Sequence, residues 1–291
     1  MNPTRSLPQQ LQGPGIVVAP GVYDAMTAFV AAEAGFGCLY LSGAAVAYTR
    51  LGRPDIGLVS STEMAETLNL IAERTACPII VDGDTGHGNA LNVQRTVRLF
   101  ERAGAAAIQI EDQTFPKRCG HLADKSVTSA REMVGKIKAA VDARTSPDML
   151  IIARTDAVAV EGLEPALDRA ALYAEAGADM LFVEAPQSRQ QLGAVCDRFR
   201  GVKPLMANVV EGGRTPPMTA QDLEAMGFNL VIFPGGIVRA LARVAQDYYA
   251  SLRRNGGNEA FRERMLDFDG LNGLLRTEEI LRNAARYEHG A

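Results

Sequence analysis

The sequence predicts an α/β chain closed into a (β/α)₈ barrel of the TIM type, and three observations predict it. A helical stretch, a glycine and a short apolar run recur four times, as "AEAGFGCLYLSG", "ERAGAAAIQIED", "AEAGADMLFVEA" and "EAMGFNLVIFPG". Four further apolar runs, "GIVVAP", "CPIIVDGD", "MLIIART" and "KPLMANVV", alternate with these, which gives eight strands separated by helical patterns. Polar residues stand at the C-terminal ends of most of the runs.

Each observation has a physical basis. Glycine tolerates the left-handed conformation that ends a helix, and the apolar run after it suits a strand buried on both faces. Strands that alternate with helices pair in parallel. Eight such units in about 250 residues match a closed barrel in size and number. The polar residues decide between a barrel and an open, doubly wound sheet. Ser42 follows the second run, Asp82 and Asp84 the third, Glu111 and Asp112 the fourth, Arg154 and Asp156 the fifth, Glu184 the sixth and Asn208 the seventh. In a barrel these ends converge on one mouth, where barrel enzymes hold their working groups. An open sheet would spread them along an edge.

Beyond the eighth run, "VRALARVAQDYYASLRRNGG" and "EAFRERMLDFDGLNGLLRTEEILRNAARY" read as amphipathic helices in excess of what a barrel needs. With no linker or low-complexity tract, residues 1–291 are expected to form one barrel domain with a C-terminal helical extension.

The chain carries a net charge of −4 and no basic block, which argues against nucleic acid as a partner. No apolar run reaches the ~20 residues that span a bilayer, and "MNPTRSLPQQLQGPG" has no signal core, so a cytoplasmic location is expected. Cys38, Cys77 and Cys196 fall in or beside apolar or helical patterns and read as packing residues. Cys119 differs. In "EDQTFPKRCGHLADK" it lies between Lys117–Arg118 and Gly120–His121, and nearby positive charge favours the reactive thiolate.

At the mouth, "VDGDTGHG" brings Asp82 and Asp84 to the end of one strand, and Glu111 ends the next. Three carboxylates this close repel one another unless a hard cation such as Mg²⁺, which takes oxygen ligands, is held among them. The plainer alternative is a set of solvated acids bonded to loop amides. The glycines of "GDTGHG" match neither dinucleotide nor P-loop spacing. His87 in that turn reads as a loop residue or a metal-water partner. Arg154 is either paired with a barrel carboxylate or free to clamp one on a substrate. Ser42–Gly43–Ala44 offers backbone N–H groups to an anion, and Glu184 and Asn208 bond either a substrate or each other. Together these groups suit an anionic, oxygen-rich small molecule that passes through an enolate.

At these residues the chain resembles the isocitrate lyase / phosphoenolpyruvate mutase superfamily. The resemblance rests on Lys117-Arg118-Cys119-Gly120-His121, the K-[KR]-C-G-H hallmark of its carbon–carbon lyases, and on "YLSG", "IEDQ", "ARTDA" and "EGGRTP". It implies a barrel whose helix is exchanged between paired subunits in a homotetramer. It implies Mg²⁺, with Mn²⁺ as a substitute, held by Asp82, Asp84 and Glu111, and a small carboxylate substrate. Ser42, Gly43, Ala44 and Arg154 would bind that carboxylate, and Cys119 would protonate the carbanion left by cleavage. Lys117, His121 and Glu184 would act beside it, while Tyr40, Asp55, Gly120, Asn208 and Pro234 line the pocket. Residues 114–128 would form a gate.

The implied activity is cleavage of a 2-methylisocitrate or 2,3-dimethylmalate type acid to pyruvate, or a similar 2-oxo acid, and a second carboxylate. Gly235 and Gly236 stand where methylisocitrate lyases carry bulkier residues, which weighs against a tricarboxylate. A carboxyphosphonoenolpyruvate-type phosphonomutase and a catalytically silent, metabolite-binding or structural barrel are the alternatives.

Overall fold

Gly35, Gly104, Gly177 and Gly227 all take positive φ, between 93° and 115°, and each ends a helix just before a strand. The repeated helix–glycine–strand pattern therefore acts as expected, because a side chain at that φ is strained. In this computed structural model, which describes residues 5–120, 122 and 124–288, eight strands close a barrel. They are β1 Val17–Val22, β2 Leu39–Leu41, β3 Ile79–Asp82, β4 Ala107–Glu111, β5 Leu150–Thr155, β6 Met180–Val183, β7 Leu205–Asn208 and β8 Leu230–Phe233. Each pairs in parallel with its sequence neighbours, and β1 closes the ring on β8 with Val17 opposite Leu230.

Polar side chains start the intervening helices where the sequence supplies them. Asp24, Ser60, Asn89, Ser129, Ser188 and Thr219 each accept a hydrogen bond from a first-turn N–H of the helix that follows. A cap of this kind contributes about 1 kcal/mol. The apolar faces of those helices cover the outside of the barrel, forming one core with Leu68, Ile71, Phe100, Ile137 and Phe199. A second core fills the barrel itself, with Ala19, Tyr40, Ile80, Ile152, Phe182, Met206 and Ile232. The short helix Leu7–Leu11 inserts the fully buried Leu7 into this inner core. Cys38 and Cys196 are buried, and burial pushes their thiols up to about 12 and about 11. Cys77 is partly buried, with its Sγ 3.3 Å from the Phe36 carbonyl.

The chain divides into two compact units, Met1–Val238 and Arg239–Ala291. The second unit contains most of the helix Gly236–Asn255 and the helices Phe268–Leu274 and Thr277–Glu288. Within it Tyr248 packs edge-on against Phe261, and Arg264 pairs with Asp247 at 3.1 Å. Among the described residues no helix is long and apolar enough to cross a membrane.

Candidate active site

Strand ends β2 to β7 bring the polar residues together at one end of the barrel. Tyr40 points inward from β2 and donates to Gln109 Oε1 at 3.0 Å, while Gln109 Nε2 donates to Asp82 Oδ1 at 3.3 Å. The other Asp82 oxygen accepts from the Gly43 N–H at 3.3 Å. Ser42 Oγ caps the short helix Gly43–Val46 by accepting from Ala45 N. The Ser42–Gly43–Ala44 turn thus lies against the acid cluster, with one of its amides engaged by Asp82. Asp84 follows at φ 48°, a left-handed conformation that aspartate tolerates better than most residues. His87 packs edge-on against Phe100, burial lowers its pKa, and its Nε2 is buried with no hydrogen-bond partner.

The loop after β4 is pinched at its base, where Gln113 bridges Val127 and Thr114 N–H donates to Ser126 O at 2.9 Å. Beyond the base it reaches the mouth at three places. Lys117 Nζ lies 2.6 Å from Asp55 Oδ1 and 2.7 Å from Asp84 Oδ1. The Cys119 N–H donates to the Asp55 carbonyl at 3.2 Å. Gly120 sits so close to the strand ends that a Cβ there would fall 2.3 Å from Glu184 Oε1 and 2.5 Å from Arg154 Nη2. A side chain there would have to displace the ends of Glu184 and Arg154. His121 lies outside the described residues.

Arg154, on β5, is paired rather than open to solvent. Its Nε donates to Asp156 Oδ2 at 2.9 Å and its Nη2 to Asp156 Oδ1 at 3.0 Å. Glu111 Oε2 lies 3.3 Å from Nε, and Glu184 Oε1 lies 3.9 Å from Nη2. Of the two roles open to it in the sequence, the structure displays the paired one. Asn208 Nδ2 donates to both oxygens of Glu184 at 3.2 and 3.3 Å, so these two residues bond each other. Pro234, half-buried beyond β8, has its backbone against Gly21, where any Cβ would strike its carbonyl.

The electrostatics set two groups apart. Burial, with repulsion from Asp82 and Asp55, outweighs Lys117 and raises Asp84 to about 7. Burial raises Glu111 well above the carboxylate range even with Arg154 beside it. Burial also opposes the charge on Asp156, but Arg154 and Lys125 overcome it and bring this carboxyl down to about 2. Lys117 stays cationic against burial because Asp84, Asp55, Asp82 and Glu111 surround it.

A divalent cation fits this chemistry. Glu111 Oε1 is buried with no hydrogen-bond partner, and Asp84 Oδ1 meets Lys117 as an ion pair without a well-aligned hydrogen bond. Burial holds both carboxyls toward the neutral form, and a dication would supply positive charge that favours their ionised form. As the side chains stand, no three His, Cys, Asp or Glu among the described residues form a ligand cluster.

Two functional-looking residues escape the sequence reading. Gln109 carries a signal, since it is a polar residue in the middle of the apolar run "AAAIQIED". Lys125 carries none beyond its type. Asp112 accepts from Thr155 Oγ1, Tyr173 OH and the Asp156 N–H at 2.7 to 2.9 Å, and Arg169 ties the same carboxylate to the Thr128 carbonyl.

Known proteins share this fold and much of this sequence. The sequence profile of phosphoenolpyruvate phosphomutase matches residues 8–253. The chain is 41% identical to 2,3-dimethylmalate lyase of Eubacterium barkeri over 290 residues, covering 100% of both chains. It is 48% identical over 241 residues to 2-methylisocitrate lyase of Aeropyrum pernix, covering 83% of this chain and 77% of that one. Carboxyvinyl-carboxyphosphonate phosphorylmutase of Arabidopsis thaliana is 39% identical, over 99% of this chain and 87% of its own. Among solved structures, a 2,3-dimethylmalate lyase superposes with a TM-score of 0.91 at 35% identity, covering 97% of this chain and 94% of that one. A phosphonopyruvate hydrolase in complex with oxalate and Mg²⁺ superposes with a TM-score of 0.88 at 30% identity, covering 99% of each.

Proposed function

The chain belongs to the phosphoenolpyruvate phosphomutase family, within the PEP mutase/isocitrate lyase superfamily, and on that premise we propose that it is a Mg²⁺-dependent carbon–carbon lyase. Its substrate is a substituted 2-hydroxy di- or tricarboxylate of the 2,3-dimethylmalate or 2-methylisocitrate type. Its products are pyruvate, or a similar 2-oxo acid, and a second carboxylate. One observation carries the proposal: Lys117 draws its loop onto Asp55 and Asp84, which holds Cys119 beside the acid cluster. A binding module has no need of a thiol seated there.

Asp82, Asp84 and Glu111 hold the metal, directly or through water. When bound, Mg²⁺ supplies the charge that stabilises the oxyanion of the 2-oxo acid part. The Ser42–Gly43–Ala44 amides and Arg154 take the carboxylate of that part, where Arg154 exchanges part of its contact with Asp156 for the substrate. Tyr40, Asp55, Gly120, Glu184, Asn208 and Pro234 shape the pocket, with Lys117 and His121 beside the thiol. The substrate hydroxyl gives its proton to a buried carboxylate, the oxygen electrons close the new C=O, and the carbon–carbon bond breaks. The electron pair left on carbon takes a proton from Cys119 Sγ, and the thiolate is reprotonated from the carboxylate, so protons balance over the cycle.

A screen of 2-hydroxy di- and tricarboxylates with Mg²⁺, detecting released 2-oxo acid, tests this. Turnover of a dimethylmalate or methylisocitrate is expected; failure on all of them would overturn it. The match to the Arabidopsis phosphorylmutase favours a second reading, a phosphonomutase, which the same screen detects if a phosphonate alone reacts. In the unit from Arg239 on, Phe268 and Leu281 are 81% and 63% exposed, which supports a helix-swapped homotetramer that covers them. Light scattering of the purified protein decides the subunit number.

A further inference from the structure

Lys125 is a charged residue of the loop whose side chain is only 1% exposed, and it reaches a carboxylate that is 0% exposed. Its Nζ donates to Asp156 Oδ1 at 2.8 Å and also to the carbonyl of Gly120. Asp156 Oδ1 is the same oxygen that accepts from Arg154 Nη2. Gly120 in turn lies against Arg154 Nη2 and Glu184. The contacts therefore close a ring: Gly120 carbonyl, Lys125 ammonium, Asp156 carboxylate, Arg154 guanidinium, and back to Gly120. Cys119 is the next residue in the chain.

The Asp156 end of this ring is fixed independently of the loop. Its N–H donates to Asp112 Oδ1 at 2.9 Å, and Asp112 is held by Thr155 and Tyr173. Movement of the loop therefore changes Lys125 and Gly120 but leaves Asp156 in place. A buried ammonium needs a buried partner, so Lys125 enters this position only when the Asp156 carboxylate receives it.

We propose that Lys125 is a positioning residue: through Asp156 and the Gly120 carbonyl it fixes the Cys119–Gly120 peptide against Arg154 and so aligns the thiol with the substrate-binding arginine. It acts at the opposite side of the loop from Lys117, whose partners are Asp55 and Asp84. Lys117 draws the thiol segment toward the acid cluster, and Lys125 holds the peptide after it against the arginine. This role rests on the lyase reading above for its catalytic meaning, while its structural claim is testable without any reaction.

The test uses the full-length protein with Lys125→Met and Lys125→Arg. Iodoacetamide alkylation is followed on the Cys119 peptide by mass spectrometry, with Cys77 as the internal reference, first in the ligand-free protein and then with Mg²⁺ and oxalate. Lys125→Met is expected to react at least about tenfold faster than wild type at Cys119, the worth of one charge-assisted hydrogen bond. Cys77 reactivity should not change. Lys125→Arg, which keeps the charge, should restore most of the protection. With a substrate from the screen, Lys125→Met should lose about 10²-fold in kcat with a smaller change in KM, as expected of a misplaced rather than missing group.

Wild-type protection of Cys119 in Lys125→Met overturns the proposal, and so does Lys125→Arg being as reactive as Lys125→Met. If Lys125→Met does not fold, Lys125→Gln carries the same comparison. Failure of every hydroxy acid in the screen would sink the lyase reading and leave the alkylation result to decide the latch alone.

Discussion

Lys117 and Asp55 form an ion pair 2.6 Å long whose side chains are only 4% and 8% exposed, although 62 residues separate them in the chain. Breaking a buried pair by removing one partner costs about 3–5 kcal/mol, because the other charge is stranded. Here Lys117 keeps Asp84 as a partner at 2.7 Å but loses Asp55, and it is on a loop that can move toward water. Asp55→Ala is therefore expected to open the loop and leave the barrel folded. Limited proteolysis should cut within residues 114–128 at least about tenfold faster than in wild type, at an unchanged thermal midpoint. Equal cleavage rates would show that this pair does not hold the loop.

The metal assignment predicts that excess chelator abolishes turnover and that Asp84→Ala does the same without unfolding. Asp84 stands beyond the end of β3, outside both apolar cores, so its removal leaves no core cavity. Activity that survives chelation would contradict the assignment.

Asp84 also predicts a pH dependence in metal-free protein. Its carboxyl is raised to about 7 in the fold, chiefly by burial, against about 4 in an unfolded chain. The folded state thus holds a proton that the unfolded state releases. The corresponding stability is fully present below about pH 4 and is lost as pH rises through about 7. Calorimetry in chelator should show wild type losing stability relative to Asp84→Asn between these limits. A constant difference across that window would contradict the raised carboxyl.

Cys119→Ser separates the lyase from the phosphonomutase. Serine keeps the shape but is a far weaker acid, so a lyase loses ~10²–10⁴-fold in rate, the usual worth of a general acid. Binding of pyruvate and Mg²⁺, measured by calorimetry, should survive. Near wild-type cleavage by the serine variant would remove the thiol from the mechanism.

Gly120→Ala tests the seat itself. A methyl group there would meet Glu184 Oε1 at 2.3 Å and Arg154 Nη2 at 2.5 Å. The loop should then ride outward, with kcat falling about 10²-fold and thermal stability unchanged. A fully active alanine variant would mean that the working position of the loop differs from this one.

Much of the architecture was legible because its signals are local. The glycines at 35, 104, 177 and 227 and the apolar runs after them mark strands within a dozen residues of chain. The acids at the mouth were legible for the same reason, since a strand end is visible in one segment. Pairing was not. Arg154 read equally well as a clamp or a partnered cation, and only the fold shows Asp156 Oδ1 and Oδ2 on its fork. Gln109 joins Tyr40 across 69 positions, and Lys125 meets Asp156 across 31. Contacts of that range are set by barrel topology, and no spacing rule within one segment anticipates them.

Leu7 fills the barrel interior from the N-terminal helix, and the loop carrying Cys119 reaches the strand ends at the mouth. In a lyase whose loop covers the mouth in this way, both products stay together until it lifts. Two fragments held face to face recombine with the advantage of an intramolecular reaction. Bond cleavage under the loop would then repeat in both directions, and the lifting of the loop would make it final.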